Sequence, residues 1–451
     1  MKKFLELRNK YKSFIYKKYE ITETSKEYEF TYYFEIPGLT EFTPKIIIKK
    51  DNLNTNVDHT FLEELVFHIG LVELISYVKC TCSPNIIIEC GYLDEFQKNW
   101  FKKLYYNGLG EFLYLNNINI KEDELFNIET KSTERRYKVN YEGHGNLIPI
   151  GGGKDSIVTL ELLNNEDNTC FIINPKGATI DTVNAAGYKD NTITVKRILD
   201  KKIVELNNQG FLNGHTPFSA LVAFVSYLCA YLKGKKYIIL SNEDSANQST
   251  VLGTNINHQY SKTYEFENDF NEYTKKYFNI DINYFSLLRP LTEFQIGMLF
   301  SNMKKYHKIF RSCNLGSKKE SWEWCCKCPK CLFVYIVLSP FLYKEDLINI
   351  FGKDLYEDKD LLNTFLELIG EKDVKPFECV GTIEEVKYAV SLIIKKLEGS
   401  NLPYLLDYYN NNYPLYSDDT IKNRYNPNNN LNSHFEKIVK DAINNVSENN
   451  W

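Results

Sequence analysis

The chain has 451 residues, of which 43% are hydrophobic and 25% are charged. That balance is typical of globular proteins and excludes an intrinsically disordered chain. The formal net charge is −5, and charges of one sign form no long block. The charge therefore disfavours a protein that wraps nucleic acid with a basic surface.

The first residues and the apolar runs bear on membranes. The opening segment carries Glu6, Arg8 and Lys10, so it does not resemble a signal peptide. The longest apolar runs, 220–232 and 332–343, are shorter than the ~20 residues of a membrane-spanning helix. We therefore expect a cytoplasmic protein with no membrane insertion and no nucleic-acid partner.

Residues 1–140 are predicted to form an α+β amino-terminal domain. Alternating apolar residues indicate two strands separated at Pro37 and Gly38, followed by an amphipathic helix and a further strand. His68 lies on the strongly apolar face of that helix, where we expect a histidine of the core. The predicted elements are a strand pair within 27–50, a helix at 59–78 and a strand at 85–90.

Residues 141–340 are predicted to form an α/β domain in which buried strands alternate with helices. Such alternation indicates a parallel sheet covered by helices on both faces. Ligands of such sheets bind beyond the carboxyl ends of the strands. The predicted strands are 146–150, 170–175, 192–198, 236–241 and 284–291, and the predicted helices are 157–163, a segment from Thr179, 220–232 and 293–303.

Residues 341–451 are predicted to form a helical carboxyl-terminal region. From about residue 401 the region is rich in asparagine. We therefore expect the last 30 or so residues to be poorly ordered.

A glycine-rich segment joins the first strand of the α/β domain to its first helix. Glycines let the backbone turn sharply and approach a ligand, and their amides can form a nest for anionic oxygens. Lysine and serine add a charge and a hydroxyl donor, whereas the aspartate would repel a bare phosphate and so indicates a helix cap or a metal-bridged contact. The residues are Gly151, Gly152, Gly153, Lys154, Asp155 and Ser156.

Four cysteines have the spacing of a metal site. Cys325, Cys328 and Cys331 are spaced C-x2-C-x2-C, and Cys313 can supply a fourth thiolate. Four thiolates suit tetrahedral zinc in a closed, structural site. An iron–sulfur cluster is the less favoured alternative. Cys326 lies between the ligands and is expected to be a spectator.

Two further segments follow predicted strands and carry candidate binding residues. Asn242 and Glu243 lie in the loop after the fourth strand, and Arg289 lies at the end of the fifth. Arginine binds carboxylates and phosphates through two parallel hydrogen bonds. The segment 213–217, Asn-Gly-His-Thr-Pro, precedes the buried helix at 220–232. Ordinary capping or a solvated loop is an equally good explanation of each segment.

The hexad 151–156 resembles the pyrophosphatase loop, usually SGGxDS, of the ATP pyrophosphatase superfamily. It lacks the GxxxxGK[ST] spacing of the Walker loop. The resemblance implies the Rossmann-like PP-loop fold and an enzyme that activates a carboxylate or carbonyl oxygen with ATP. Gly151 replaces the usual first serine, which removes one hydroxyl that faces phosphate. A similar four-cysteine zinc site occurs in the queuosine-precursor synthases of the same superfamily.

Taken together, several motifs resemble one family, the UDP-N-acetylmuramoyl-L-alanyl-L-glutamate epimerases, called MurL. The resemblance runs from about residue 28 to 390, and within the cysteine motif Cys326 stands where glycine is expected. The segments that carry it are 72–97, 148–163, 258–267, 324–331 and 375–382.

The MurL resemblance implies a reaction of peptidoglycan and cell-wall biosynthesis. In this family the terminal L-Glu of the UDP-linked muramoyl dipeptide becomes D-Glu, with ATP converted to AMP and pyrophosphate through an acyl-adenylate. The implied cofactors are ATP, Mg²⁺ and a structural Zn²⁺, and the implied pathway partner is a ligase that adds L-Glu to the precursor.

The implied roles of single residues complete the prediction. Residues 151–156 would hold the ATP phosphates, with Lys154 on the leaving pyrophosphate and Asp155 near Mg²⁺. Arg289, with Asn242 and Glu243, would bind the substrate. Glu378 and Cys379 are candidates for the base and acid that invert Cα, and Glu243 is an alternative base.

Two other functions are compatible with the motifs. One is an ATP pyrophosphatase that adenylates another carboxylate or a nucleobase, although an enzyme acting on tRNA should show a basic face. The other is a paralogue that binds nucleotide without turnover, which the intact Lys154, Asp155 and Ser156 disfavour. Release of pyrophosphate with ATP and substrate separates the paralogue without turnover from either enzyme.

Overall fold

The computed structural model describes residues 1–449 except 52, 55–56, 134–138, 252, 255, 314 and 317–322, and it leaves the side chains of 447–449 undescribed. The described chain forms two compact units. The first unit comprises 1–147, 193–238 and 256–284, and the second comprises 148–192, 239–255 and 285–451.

The α/β class predicted from the sequence is confirmed by the observed elements. The helices are α1 (Lys2–Lys10), α2 (His59–Glu73), α3 (Ile75–Val78), α4 (Glu95–Gly108), α5 (Gly110–Leu115), α6 (Glu122–Leu125), α7 (Lys154–Leu162), α8 (Gly177–Ala185), α9 (Lys202–Asn208), α10 (Phe218–Lys233), α11 (Tyr264–Tyr277), α12 (Glu293–Ser301), α13 (Pro329–Leu338), α14 (Lys344–Phe351), α15 (Leu362–Leu368), α16 (Ile383–Lys396), α17 (Tyr404–Asn412) and α18 (Ser433–Asn449). The strands are β1 (Ser13–Glu23), β2 (Glu27–Ile36), β3 (Thr40–Phe42), β4 (Lys45–Lys49), β5 (Asn85–Ile88), β6 (Asn127–Thr130), β7 (Asn146–Pro149), β8 (Asn168–Ile173), β9 (Thr192–Ile198), β10 (Tyr237–Leu240) and β11 (Asn283–Ser286).

The first unit contains a mixed sheet with strand order β9-β4-β2-β1-β5-β6. Strand β2 pairs antiparallel with β1 and with β4, and β4 pairs antiparallel with β9. Strands β1, β5 and β6 run parallel. The strand pair predicted within 27–50 is therefore confirmed, and the long β1 strand adds to it.

The core of the first unit is aromatic, and His68 belongs to it. His68 is fully buried on α2. Its Nδ1 donates to the Glu64 carbonyl at 2.8 Å, and its Nε2 accepts from the Tyr273 hydroxyl at 2.7 Å. Burial lowers the pKa of His68 to about 4, so the imidazole is neutral at pH 7. The predicted core histidine is confirmed.

The second unit contains β8 and the carboxyl-terminal parts of β7, β10 and β11, in the order β11-β10-β7-β8. Strands β7 and β10 run parallel. The fifth strand is shorter than predicted, because the chain leaves β11 after Ser286 and forms turns through Pro290. Loops that follow three strand ends, 150–153, 241–247 and 287–292, carry the candidate site.

The described part of the carboxyl-terminal tail contains helix α18, which corrects the expectation of a poorly ordered tail. Helix α18 buries Phe435 and Val439, four residues apart on one face of the helix. The Phe435 ring packs 5.1 Å from that of Phe285. Upstream, the Asn426 amide donates to the Pro290 carbonyl at 2.9 Å. The asparagine-rich composition concealed this amphipathic helix.

Across 1–449 with the gaps given above, no helix combines the length and the apolar character needed to cross a bilayer.

Candidate functional site

The glycine loop forms the predicted turn between strand and helix. Strand β7 ends at Pro149 and α7 begins at Lys154, with Gly153 as its N-cap. Gly152 has φ +77, and a Cβ there would lie 2.8 Å from the backbone atoms of Ala178 and Thr179. Only glycine fits this position without strain. At Gly151, by contrast, a Cβ would meet nothing within 4 Å.

A second segment braces the glycine loop. The Arg311 amide donates to the Gly152 carbonyl at 2.8 Å, and a Cβ on Gly153 would lie 2.8 Å from Ser312 Oγ. Ser312 Oγ is buried and makes no hydrogen bond within the described part of the chain. Ser156 Oγ donates to the Gly153 carbonyl at 3.0 Å. Ser312 therefore places a buried hydroxyl beside the glycine loop.

Lys154 lies at the centre of a cluster of buried charges. Its side chain has no exposed area, and its ammonium contacts the carboxylates of Asp155 and Glu293. Burial on its own lowers the pKa of Lys154, but these two carboxylates outweigh it and hold the pKa above its usual value. Burial likewise raises the pKa of Glu293, and the Asp155 carboxylate adds to that effect. Lys154 is therefore positively charged at pH 7, and it is the cation that the buried Glu293 carboxylate contacts.

Three carboxylates surround this lysine. One oxygen from each of Asp155, Glu243 and Glu293 lies within 4.8 Å of the others. Glu293 Oε1 is buried and accepts no hydrogen bond from the described residues. Hard oxygen donors at this separation fit Mg²⁺, which binds oxygens at about 2.0–2.1 Å. We call Lys154, Asp155, Glu243 and Glu293 the lysine–carboxylate cluster.

Arg289 holds the loop after β10 through a hydrogen bond to its backbone. Arg289 is fully buried, and its Nη1 donates to the Glu243 carbonyl at 3.0 Å. Ser245 Oγ donates to Glu243 Oε1 at 2.9 Å, and Asn242 is half-buried beside it. The structure thus shows Arg289 positioning this loop, while its role as a substrate ligand stays a prediction.

Two more lysines fix the segment that carries Glu378 and Cys379. The Lys330 ammonium donates to the Cys379 carbonyl, and it lies 3.9 Å from Glu293 Oε1. The Lys375 ammonium donates to the Gly381 carbonyl at 2.9 Å, and burial lowers its pKa to about 8. The backbone at 379 is therefore linked to the lysine–carboxylate cluster through Lys330. Glu378 and Cys379 are half-buried, and their catalytic roles stay predictions.

Sequence reasoning missed several buried charges of this site. The Glu385 carboxylate accepts hydrogen bonds from two backbone amides, that of Glu293 to Oε1 and that of Thr382 to Oε2, both at 2.6 Å. These two bonds join the starts of α12 and α16. Burial raises the pKa of Glu385. In the sequence, the signal for these buried charges was the position of Glu293, an acidic residue at the start of the otherwise apolar helix α12. A carboxylate there is also the usual complement to a helix dipole, so the signal is weak.

The predicted cysteines converge as expected for a metal. The Sγ atoms of Cys313, Cys325, Cys328 and Cys331 all lie within 4.8 Å of one another. Cys331 Sγ is 3.5 Å from both Cys325 Sγ and Cys328 Sγ. Tetrahedral zinc with Zn–S bonds of ~2.3 Å needs sulfurs about 3.8 Å apart, so the set fits zinc. We call these residues the thiolate cluster.

Cys326 stands apart from the thiolate cluster, as predicted. Its Sγ donates to the Phe351 carbonyl at 3.0 Å. Its φ is +53, in the left-handed region that favours glycine. This conformation explains why a glycine is expected at this position of the motif.

Comparison with known proteins gives consistent matches along the chain. Residues 6–287 match the family model described as the MurL N-terminal domain, and residues 309–419 match the MurL C-terminal domain. A UDP-N-acetyl-alpha-D-muramoyl-L-alanyl-L-glutamate epimerase of Xanthomonas oryzae pv. oryzae is 33% identical over 75% of this chain and 76% of the relative. The same-named protein of Salinispora tropica is 35% identical over 71% of this chain and 70% of the relative. The chain therefore belongs to the MurL family.

Proposed function

We propose that this chain epimerises the terminal L-Glu of UDP-N-acetylmuramoyl-L-alanyl-L-glutamate to D-Glu, and that it activates the glutamate with ATP. The substrate is the one for which the relatives are named. The activation step rests on one observation above all, the glycine loop at a strand end with the buried Lys154 beside it. This arrangement is the basis for proposing the PP-loop ATP pyrophosphatase type.

The chemical need for ATP is kinetic. Two diastereomers have nearly equal free energy, so ATP is not required for the equilibrium. A Cα proton beside a carboxylate is very weakly acidic, because the carbanion would form next to an existing negative charge. An acyl-adenylate removes that charge and lets the electron pair delocalise onto the acyl oxygen, where hydrogen-bond donors lower the barrier.

The proposed sequence begins with attack of a glutamate carboxylate oxygen on the α-phosphorus of ATP, which expels pyrophosphate. A base then removes the Cα proton, and an acid returns a proton to the opposite face. Water finally hydrolyses the adenylate to D-Glu and AMP. Each proton removed at Cα is replaced by one from an acid in exchange with solvent.

The loop residues are assigned to the ATP phosphates. The amides of Gly151, Gly152 and Gly153 and the N-terminus of α7 would bind phosphate oxygens. Ser312 Oγ would add a hydroxyl that Gly151 cannot supply. Lys154 would neutralise charge that develops on the leaving pyrophosphate.

Two metal ions fit the same unit. The oxygens of Asp155, Glu243 and Glu293 would hold Mg²⁺, whose chemistry is to neutralise phosphate charge during displacement. The thiolate cluster would hold a structural Zn²⁺. Because Cys313 directly follows Ser312, the thiolate cluster would fix the segment that braces the glycine loop.

The test incubates the purified full chain with the UDP-muramoyl dipeptide, ATP and Mg²⁺ in deuterated water. Glutamate from the hydrolysed product is resolved by chirality and mass. We expect D-Glu with one deuterium at Cα and AMP formed in step. L-Glu without deuterium and without AMP would overturn the proposal.

A second assay isolates activation from inversion. Labelled pyrophosphate should exchange into ATP only when the dipeptide substrate is present, because reversal of adenylation needs the acyl group. Exchange without inversion in Cys379→Ala or Glu378→Gln would assign that residue to proton transfer. Inversion at the full rate in either variant would remove that residue from the mechanism.

A further inference from the structure

The first unit contains a cluster that the proposed reaction does not use. One ligand atom from each of Glu111, His215 and His258 lies within 4.8 Å of the others. His258 Nδ1 is 2.6 Å from Glu111 Oε2, and His215 Nδ1 is 3.4 Å from the same oxygen. The two imidazole rings are 4.7 Å apart between centroids. We call these three residues the imidazole cluster.

The backbone around the imidazole cluster is held in place by contacts within the same unit. Glu111 lies in the first turn of α5. The loop of His215 is tied to that helix, because the Asn116 side-chain amide donates to the Asn213 carbonyl at 3.1 Å and to the Phe112 carbonyl at 2.8 Å. The Lys79 ammonium donates to the Gly214 carbonyl. The loop therefore presents His215 to Glu111 without needing a ligand to fold it.

The other side of the loop is also packed. A Cβ on Gly108, at the end of α4, would lie 2.6 Å from Pro217 Cγ. Leu212 donates its amide to the Cys80 carbonyl at 3.1 Å. The 213–217 segment is thus anchored at both ends.

The donor set is one that zinc-type ions prefer. Two imidazoles and a carboxylate are the protein ligands of many open zinc sites, in which water or substrate takes the fourth position. A simple histidine–carboxylate pair needs one imidazole, whereas here the Nδ1 atoms of two histidines approach the same carboxylate oxygen. A bound dication would replace direct contact by three bonds of about 2.0–2.2 Å.

The accessibility of the imidazole cluster suits an exchangeable ion. The side chains of His215, His258 and Glu111 are 26%, 13% and 13% exposed. Two cations, Lys79 and Lys262, lie within electrostatic reach of His215. Both cations oppose a bound dication, whereas the Glu111 carboxylate attracts it. The Lys79 ammonium donates to the Gly214 carbonyl.

We propose that Glu111, His215 and His258 bind a divalent transition-metal ion of the zinc type and leave one coordination position for water or an oxygen ligand. The site is separate from the thiolate cluster and is made of different donors. Its existence does not depend on the proposed epimerase reaction.

The experiment titrates the chelator-treated full chain with Co²⁺ and records its absorption spectrum. Cobalt bound by four thiolates gives strong near-ultraviolet charge-transfer bands, whereas cobalt bound by imidazole and carboxylate gives only weak visible bands. We expect the wild-type chain to show both signatures. His258→Ala and Glu111→Gln should keep the thiolate bands and bind the second ion on the order of 10²-fold more weakly.

Controls separate ligand loss from unfolding and from surface binding. His434→Ala removes a histidine whose side chain is 57% exposed, and it should bind cobalt as the wild type does. Glu111→Gln keeps the shape of the side chain, and circular dichroism of each metal-free variant checks the fold. Equal second-ion binding by the wild type, His258→Ala and Glu111→Gln, or saturation of the wild type by the thiolate signature alone, would overturn the proposal.

Discussion

The thiolate cluster and the imidazole cluster differ in how their residues are distributed along the chain. Three of the four cysteines fall within seven consecutive residues, so their spacing alone predicted a metal site. His258 and Glu111, which approach to 2.6 Å, are 147 residues apart. Local spacing is visible in a sequence, whereas convergence of distant segments depends on the tertiary fold. The following predictions test how residues placed by local spacing and residues placed by the tertiary fold contribute to metal binding, stability and activity.

The largest effect is expected at the thiolate cluster. Cys328→Ser should abolish binding of the structural metal and lower the free energy of unfolding by about 5 kcal/mol. That is less than the ~10–16 kcal/mol by which zinc folds isolated fingers, because α13 remains packed in the unit. Metal analysis and chemical denaturation measure the two effects.

The matched control changes the neighbouring cysteine. Cys326→Gly should keep the metal and change the free energy of unfolding by no more than about 1 kcal/mol. Glycine relieves the left-handed conformation at φ +53, and this gain offsets loss of the contact with the Phe351 carbonyl. Loss of metal from Cys326→Gly, or its retention by Cys328→Ser, would contradict the assignment of ligands.

In the lysine–carboxylate cluster, Lys154 contacts its sequence neighbour Asp155 and also Glu293, which is 139 residues away. Lys154→Met leaves the buried Glu293 without its cation and should lower the free energy of unfolding by about 3–5 kcal/mol. Adding Glu293→Gln removes the uncompensated charge and should restore most of that stability. Activity should stay lost in the double variant, because Lys154 also acts on the phosphates and Glu293 is a proposed Mg²⁺ ligand.

The double variant distinguishes two roles of Lys154. Chemical denaturation reports stability, and pyrophosphate exchange reports activation of the substrate. If the double variant regains both, Lys154 serves only to balance the charge of Glu293. That result would remove it from the proposed mechanism.

Sequence reasoning identified the parts of the fold that local patterns specify. The strand–loop–helix at 146–163 was predicted because apolar runs flank three consecutive glycines. The alternation of strands and helices gave the α/β class. The tail was predicted wrongly, because its many asparagines concealed the Phe435 and Val439 positions of α18.

The site residues that the sequence analysis did not identify share one physical property. Glu293, Lys330, Lys375 and Glu385 are long charged side chains, which usually remain exposed. Each is buried, and each has a partner on another segment of the chain. No local period or spacing marks such a residue, so its burial could be found only from the fold.

The glycine loop allows a comparison of adjacent positions. Gly152→Ala should lower the free energy of unfolding by about 2–3 kcal/mol and weaken ATP binding, because its Cβ would lie 2.8 Å from backbone atoms in a left-handed conformation. Gly151→Ala should stay within about 0.5 kcal/mol, because its Cβ meets nothing within 4 Å. Denaturation and nucleotide titration of both variants check this, and equal effects at the two positions would contradict it.

The last prediction concerns His68. Its burial was predicted from the sequence, whereas its hydrogen-bond partner Tyr273, 205 residues away, was not. The folded pKa of about 4 is below the unfolded value of about 6.5, so this stabilisation is complete above pH 6.5 and is lost as pH falls toward 4. Between pH 7 and 5 the loss should be about 2 kcal/mol. His68→Leu lacks the titrating group, so its free energy of unfolding should fall less over the same interval. Because all other histidines are common to both proteins, the difference between the two slopes belongs to position 68. Parallel slopes would mean that His68 takes up a proton in the folded chain, and therefore that its burial does not hold it neutral.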